Sequence, residues 1–174
     1  MINRWHGLFL VILLLGSSWI WMNRVPVAVS ATERTPQAAV DYPAPAFTLT
    51  TLAGEPFDLS AAQGKPIVLN FWATWCGPCR NEMPALQKAA EKLDGEVAII
   101  GVDQGESAET VRQFVDEFGV SFQILLDANQ DAANAFDVTL MPTTYFIDAQ
   151  GVIRGVHLGE MNSITLAENI AGIR

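Results

Sequence analysis

Asn70-Phe-Trp-Ala-Thr-Trp-Cys-Gly-Pro-Cys-Arg80 carries both cysteines of this 174-residue chain, Cys76 and Cys79, two residues apart. The apolar run Ile67-Val-Leu-Asn-Phe-Trp72 leads into them. A helical pattern leads out: Met83, Leu86, Ala90 and Leu93 recur at three- and four-residue spacing and predict a helix over residues 78–93. Cys76 therefore falls at a helix N-terminus, where unpaired N–H groups and the helix dipole favour negative charge. A thiolate is the reactive form of cysteine, and such surroundings lower a thiol pKa below its free value of about 8.5. The second thiol, a turn further on, can close a disulfide on the first, so the site suits dithiol–disulfide exchange. Pro78 fits the first turn, where no N–H is needed, and Pro84 is expected to kink the helix.

Outward from this centre the periodicity alternates. Residues 67–72 read as a central strand buried on both faces. Upstream, Phe47-Thr-Leu-Thr-Thr-Leu52 predicts a strand, Ala53-Gly-Glu-Pro56 a turn and Phe57-Asp-Leu59 a short return strand. Downstream, Asp94-Gly95 ends the helix and Val97-Ala-Ile-Ile-Gly-Val102 is the next buried strand. Residues 107–118 form a second long helix, with Ser107 as its N-cap and Val111, Phe114, Val115 and Phe118 inward. A strand over 122–126, a short helix over 130–136, a hairpin of 143–147 with 152–158 across Asp148-Ala-Gln-Gly151, and a helix over 162–173 complete the chain. This is an α/β fold class: a mixed sheet between helix layers.

Half the residues are apolar, which excludes a wholly disordered chain. The net charge of −9 argues against nucleic acid as a partner. Arg4 and Arg24 are the only charged residues among the first 31, so the remainder is more acidic still. Residues 1–24 read as a targeting segment, with an apolar run from Gly7 to Met22. Two readings stay open: an uncleaved anchor, with Trp19 and Trp21 at its outer end, and a signal cleaved after Ala31. Both place the following domain outside the cytoplasm. Residues 25–42, rich in Pro, Ala and Thr, read as a linker between membrane and a domain over 43–174.

Phe71-Trp-Ala-Thr-Trp-Cys-Gly-Pro-Cys79, the helix proline Pro84 and Met141-Pro142-Thr143 before a strand together resemble the thioredoxin fold. The resemblance spans about 43–174 and is strongest to exported, often membrane-tethered TlpA/ResA-like thiol–disulfide oxidoreductases. Residues 47–59 correspond to an N-terminal β-hairpin that precedes the core fold in that group. Residues 104–122 correspond to its helix-containing central insert, and Glu82 to its acidic position. Thioredoxin itself has a buried aspartate where this chain has Asn70. The dipeptide Gly77-Pro78 is thioredoxin's own.

The resemblance implies roles. Cys76 would be the accessible nucleophile and Cys79 the buried resolving thiol. Glu82, three residues further on the same helix, would accept the proton of Cys79. Pro142 would be cis beside the dithiol. Met141, Thr143, Trp75, Gly77 and Pro78 would line the substrate surface, with Trp72 in the core. Substrates would be protein disulfides, such as the CxxCH of apocytochrome c, and electrons would come from a membrane thiol–disulfide donor. No cofactor and no metal are expected. Zinc normally takes four ligands, and beyond the dithiol only His6 and His157 remain among the histidines. An oxidase or isomerase of secreted proteins is the alternative. A copper chaperone fits less well, since CxxC stands where CxxxC and a distant His are typical. A peroxidase lacks a separate cysteine after the first strand.

Overall fold

A computed structural model of the protein describes residues 34–174. The strands are β1 (Thr48–Thr51), β2 (Pro56–Asp58), β3 (Ile67–Trp72), β4 (Ala98–Gln104), β5 (Gln123–Asp127), β6 (Thr143–Ile147) and β7 (Ile153–Leu158). The helices are α1 (Gly77–Lys92), α2 (Ala108–Phe118), α3 (Asp131–Ala135) and α4 (Ser163–Ala171). The seven strands make one mixed sheet in the order β2-β1-β5-β4-β3-β6-β7. β3, β4 and β5 are parallel, as their helical crossovers require. β6 and β7 extend the sheet antiparallel on one side, β1 and β2 on the other.

β3 is buried along its whole length. Its side chains alternate between two cores. Val68 and Trp72 join Met83, Leu86, Phe114, Leu166 and Ile170 under α1, α2 and α4. Ile67, Leu69 and Phe71 join Phe47, Phe136, Tyr145 and Ile153 on the reverse side, covered by α3 and a 3-10 turn over Leu59–Ala62. Trp72 packs at 4.8 Å from the Phe114 ring and lies over Gly101, where an added Cβ would stand 2.9 Å from its Nε1. The glycine in β4 thus makes room for the indole.

Local signals act as expected at several ends. Ser107 Oγ accepts the Thr110 N–H at 3.2 Å at the start of α2, and Gly119 closes that helix at φ 62°. Asn162 caps α4 through the N–H groups of Ile164 and Thr165. α1 runs through Pro84 as one element. β4 extends beyond the apolar run to include Asp103 and Gln104, which pair with Leu126 and Asp127 of β5.

Residues 37–43, in the stretch expected as linker, lie along the start of β7. The Asp41 N–H donates to Ile153 O, the Ile153 N–H to Tyr42 O, and Pro43 bridges Val152. Arg154 ties the same corner, reaching Asp148 at 2.6 Å and Asp41 at 2.8 Å. The targeting segment and its apolar run 7–22 lie outside the described residues. Among the described residues no helix is long and apolar enough to cross a membrane.

Candidate active site

β3 delivers the chain to the end of the sheet where α1 begins. Cys76 is the N-cap of α1, and its Sγ accepts the Cys79 N–H at 3.2 Å. The two sulfurs are joined in a disulfide, with Cα atoms 5.2 Å apart. Cys79 is fully buried and Cys76 keeps 6% of its surface. That is far less than the accessible thiol expected from the sequence. The cause is packing: Cys76 belongs to the same apolar cluster as Ala73, Cys79 and the partly buried Met141. The exposed rim is Trp75, 68% exposed, with Gly77 and Pro78.

The Met141–Pro142 peptide is cis, and Pro142 is buried. Thr143 opens β6 opposite Phe71 of β3, which brings this segment beside the dithiol turn. Thr143 Oγ1 donates to Leu140 O at 2.7 Å, and Pro142 O accepts the Gly159 N–H at 2.8 Å. Leu140, 52% exposed, adds an apolar side chain that sequence reading missed.

Glu82 is buried one helical turn beyond Cys79. Its Oε1 accepts from Asn70 Nδ2 at 2.7 Å and its Oε2 from the Met161 N–H at 3.0 Å. Burial pushes its carboxyl up to about 7, against the pull of these two hydrogen bonds, with the Glu160 charge adding to the rise. Asn70, expected to be only the loss of an acid, is the residue that orients Glu82. The same Nδ2 also donates to Thr144 Oγ1 at 2.9 Å. A lone amide in an otherwise apolar, doubly buried strand was the signal available for it.

A second polar group, which the sequence pattern does not flag, flanks the turn before Cys76. Glu106 Oε2 accepts the Thr74 N–H and its Oε1 the Thr74 hydroxyl, both at 2.6 Å. Asp103 Oδ1 accepts the Glu106 N–H at 3.0 Å. Arg80 Nη1 donates to Thr74 O at 3.3 Å, while its guanidinium lies over the rings of Phe114 and Phe118. An acid near the carboxyl end of a central parallel strand, where ligands gather in such folds, was the usable clue. His157 lies on the edge strand β7, its Nε2 3.3 Å from Glu160 O.

A dithiol capping a helix beside a cis-proline, on a mixed sheet of this order, defines a thioredoxin-fold thiol–disulfide oxidoreductase. Residues 40–156 match the AhpC/TSA family, and the chain belongs to it. Thioredoxin-like protein YneN of Bacillus subtilis is 34% identical over 174 residues, 98% of each chain. Thiol–disulfide oxidoreductase ResA of Geobacillus kaustophilus is 37% identical over 145 residues, 82% of each chain. Among solved structures, a secreted Mycobacterium tuberculosis disulfide oxidoreductase homologous to E. coli DsbE superposes with a TM-score of 0.67. It is 31% identical and the match covers 72% of this chain and 94% of that one.

Proposed function

We propose that this enzyme reduces protein disulfides outside the cytoplasm, using Cys76 to attack and Cys79 to resolve. The observation that carries the reading is the placement of Cys76 Sγ. It caps α1, accepts a backbone N–H and sits beside the exposed Trp75-Gly77-Pro78 rim and the cis-proline segment. The Cys76 thiolate attacks one sulfur of a substrate disulfide, and the other substrate sulfur leaves as a thiolate. Cys79 then loses its proton, attacks Cys76 Sγ and frees the second substrate thiol. Two electrons pass to the substrate, and the enzyme is left with the Cys76–Cys79 bond found in this structure.

Glu82 serves as acceptor for the Cys79 proton. A carboxyl held near neutrality, one turn away in the same buried layer, is matched to a proton transfer at physiological pH. Met141 presents its backbone to an extended substrate strand, held in place by Pro142 and Thr143, while Trp75, Gly77, Pro78 and Leu140 form its apolar bed. The secreted structural neighbour supports an exported setting, in which electrons would come from a membrane thiol–disulfide donor. Substrates of this reading are protein disulfides such as the CxxCH of apocytochrome c. In this setting residues 1–24 anchor or export the domain, and the linker of 25–42 connects the two up to the point where residues 37–42 join the domain along β7.

Direction is decided by potential. A value near about −270 mV assigns reduction, and one near about −120 mV assigns oxidation of secreted proteins instead. The test of the site is capture of mixed disulfides on Cys79→Ala in cells. Partners bound through Cys76 support the reading. A Cys79→Ala protein that traps nothing, while Cys76→Ser retains disulfide reductase activity, removes it.

A further inference from the structure

We propose that Asp103 and Glu106 form a proton-operated latch on the turn Thr74–Trp75–Cys76, with Glu106 as a positioning residue for the dithiol. The inference rests on the assignment of Cys76 as the attacking thiol and extends it to what holds that thiol in place.

All three polar groups of Thr74 are taken. Its N–H and hydroxyl go to the two oxygens of Glu106, and its carbonyl accepts from Arg80. Arg80 is itself fixed, 5.1 Å from the Phe114 centroid and 4.6 Å from that of Phe118, with Glu117 at 3.3 Å. The turn leading to the nucleophile is therefore gripped by α2 and the loop before it. Both oxygens of the Glu106 carboxylate accept from Thr74, and charge-assisted bonds of this kind are the stronger ones.

Asp103 backs Glu106 from beneath. It is fully buried, and its Oδ2 has no hydrogen-bond partner among the described residues. A buried carboxylate with an unpaired oxygen is costly. Protonated, that oxygen can donate, and the Glu106 carboxylate is the acceptor against it. Burial first, and then the Glu106 carboxyl, hold Asp103 up to about 8, so it carries the proton of the pair at neutral pH. The other charged groups nearby are engaged elsewhere. Asp127 on β5 accepts from Gln104 and from the N–H groups of Ala132 and Ala133. Arg80 and Glu117 act on the far side of Thr74. Glu82 is bonded to Asn70 and Met161. Once Asp103 loses its proton, two anions confront each other, and the repulsion falls on the Glu106–Thr74 bonds.

The oxidised full-length protein tests the latch without any thiol titrating. The Thr74 amide proton, followed by NMR, is expected to shift in one step near pH 8, and Asp103→Asn to abolish that step. A Thr74 amide insensitive to pH there, or an unchanged step in Asp103→Asn, overturns the proposal. In the reduced protein, Glu106→Gln is expected to slow alkylation of Cys76 on the order of tenfold through lost positioning. Removing a nearby negative charge alone would speed it, so an equal or faster rate also overturns the latch. Thr74→Val, which deletes only the hydroxyl, is expected to slow Cys76 in the same direction by less, and it serves if Glu106→Gln does not fold. If wild-type Cys76 alkylates no faster than a free thiol, the assignment of the nucleophile falls, while the Thr74 step still judges the latch.

Discussion

The two faces of β3 differ in kind. On one, Val68, Asn70 and Trp72 look toward α1, α2 and α4, and with them lie the dithiol, Glu82, Thr144 and Asp103. On the other, Ile67, Leu69 and Phe71 meet an aromatic group in which Phe136 packs within 5.9 Å of Phe47, 5.4 Å of Phe71 and 4.9 Å of Tyr145. Polar groups on this second face are satisfied: Tyr145 donates to Phe136 O, and Asp127 accepts N–H groups at the start of α3. The buried polar atoms without a partner among the described residues, Asn70 Oδ1, Trp72 Nε1 and Asp103 Oδ2, all sit on the dithiol face. Where such an atom stays unpaired it costs about 1–3 kcal/mol. The chemistry is thus built into the costly side of the sheet, and the opposite side supplies the cohesion that tolerates it.

The largest effect expected from this contrast is on stability alone. Phe136→Ala empties the centre of the aromatic group and is expected to lower unfolding free energy by about 3–5 kcal/mol in urea titrations. The alkylation rate of Cys76 in the folded variant should not change. A matching loss of thiol reactivity would mean the two faces are not independent.

Next is Glu82→Gln. The folded carboxyl sits at about 7 against an ordinary 4.5, so its contribution to stability is fully present below about 4.5 and is lost as pH rises through 7. The loss is on the order of 3 kcal/mol, at 1.36 kcal/mol per pH unit. The glutamine variant should be flatter over that window by this amount, as read from denaturant midpoints at both ends of it. An unaltered pH slope would assign the titration to another group and weaken the idea of a costly face.

The smallest effect belongs to the rim of the sheet. Arg154→Ala removes partly exposed ion pairs to Asp148 and Asp41 and should cost about 0.5–1 kcal/mol, with no effect on the thiols. A larger loss would show that residues 37–43 do more for stability than their few hydrogen bonds account for.

Patterns that recur locally were legible from sequence. Residues 67–72 announced a doubly buried strand because nearly every side chain is apolar. Cys76, Pro78 and Ser107 announced helix starts because capping depends only on neighbours. Pro142 announced a cis bond only through the thioredoxin resemblance, since a proline before a strand has plainer explanations. The pairing of β1 with β5 was not legible, because nothing local in Thr50 or Thr51 names Leu126 and Leu125 as partners. Glu106 was missed for the same reason. Its work is done on Thr74, thirty-two positions away in the chain, and an acid before a helix reads as ordinary solvated charge. In sequence Asn70 registers only as a missing acid, while in the fold its amide hydrogens bond Glu82 and Thr144.

The outer margins of the sheet have a consequence for how the domain meets other polypeptides. β2 is three residues long and begins with proline, and the opening of β7 is occupied by the backbone of Asp41, Tyr42 and Pro43. Open strand margins invite pairing with any extended polypeptide. Here β2 offers a short, proline-headed margin and the opening of β7 is already paired, so an extended chain meets little ladder at either of these two places.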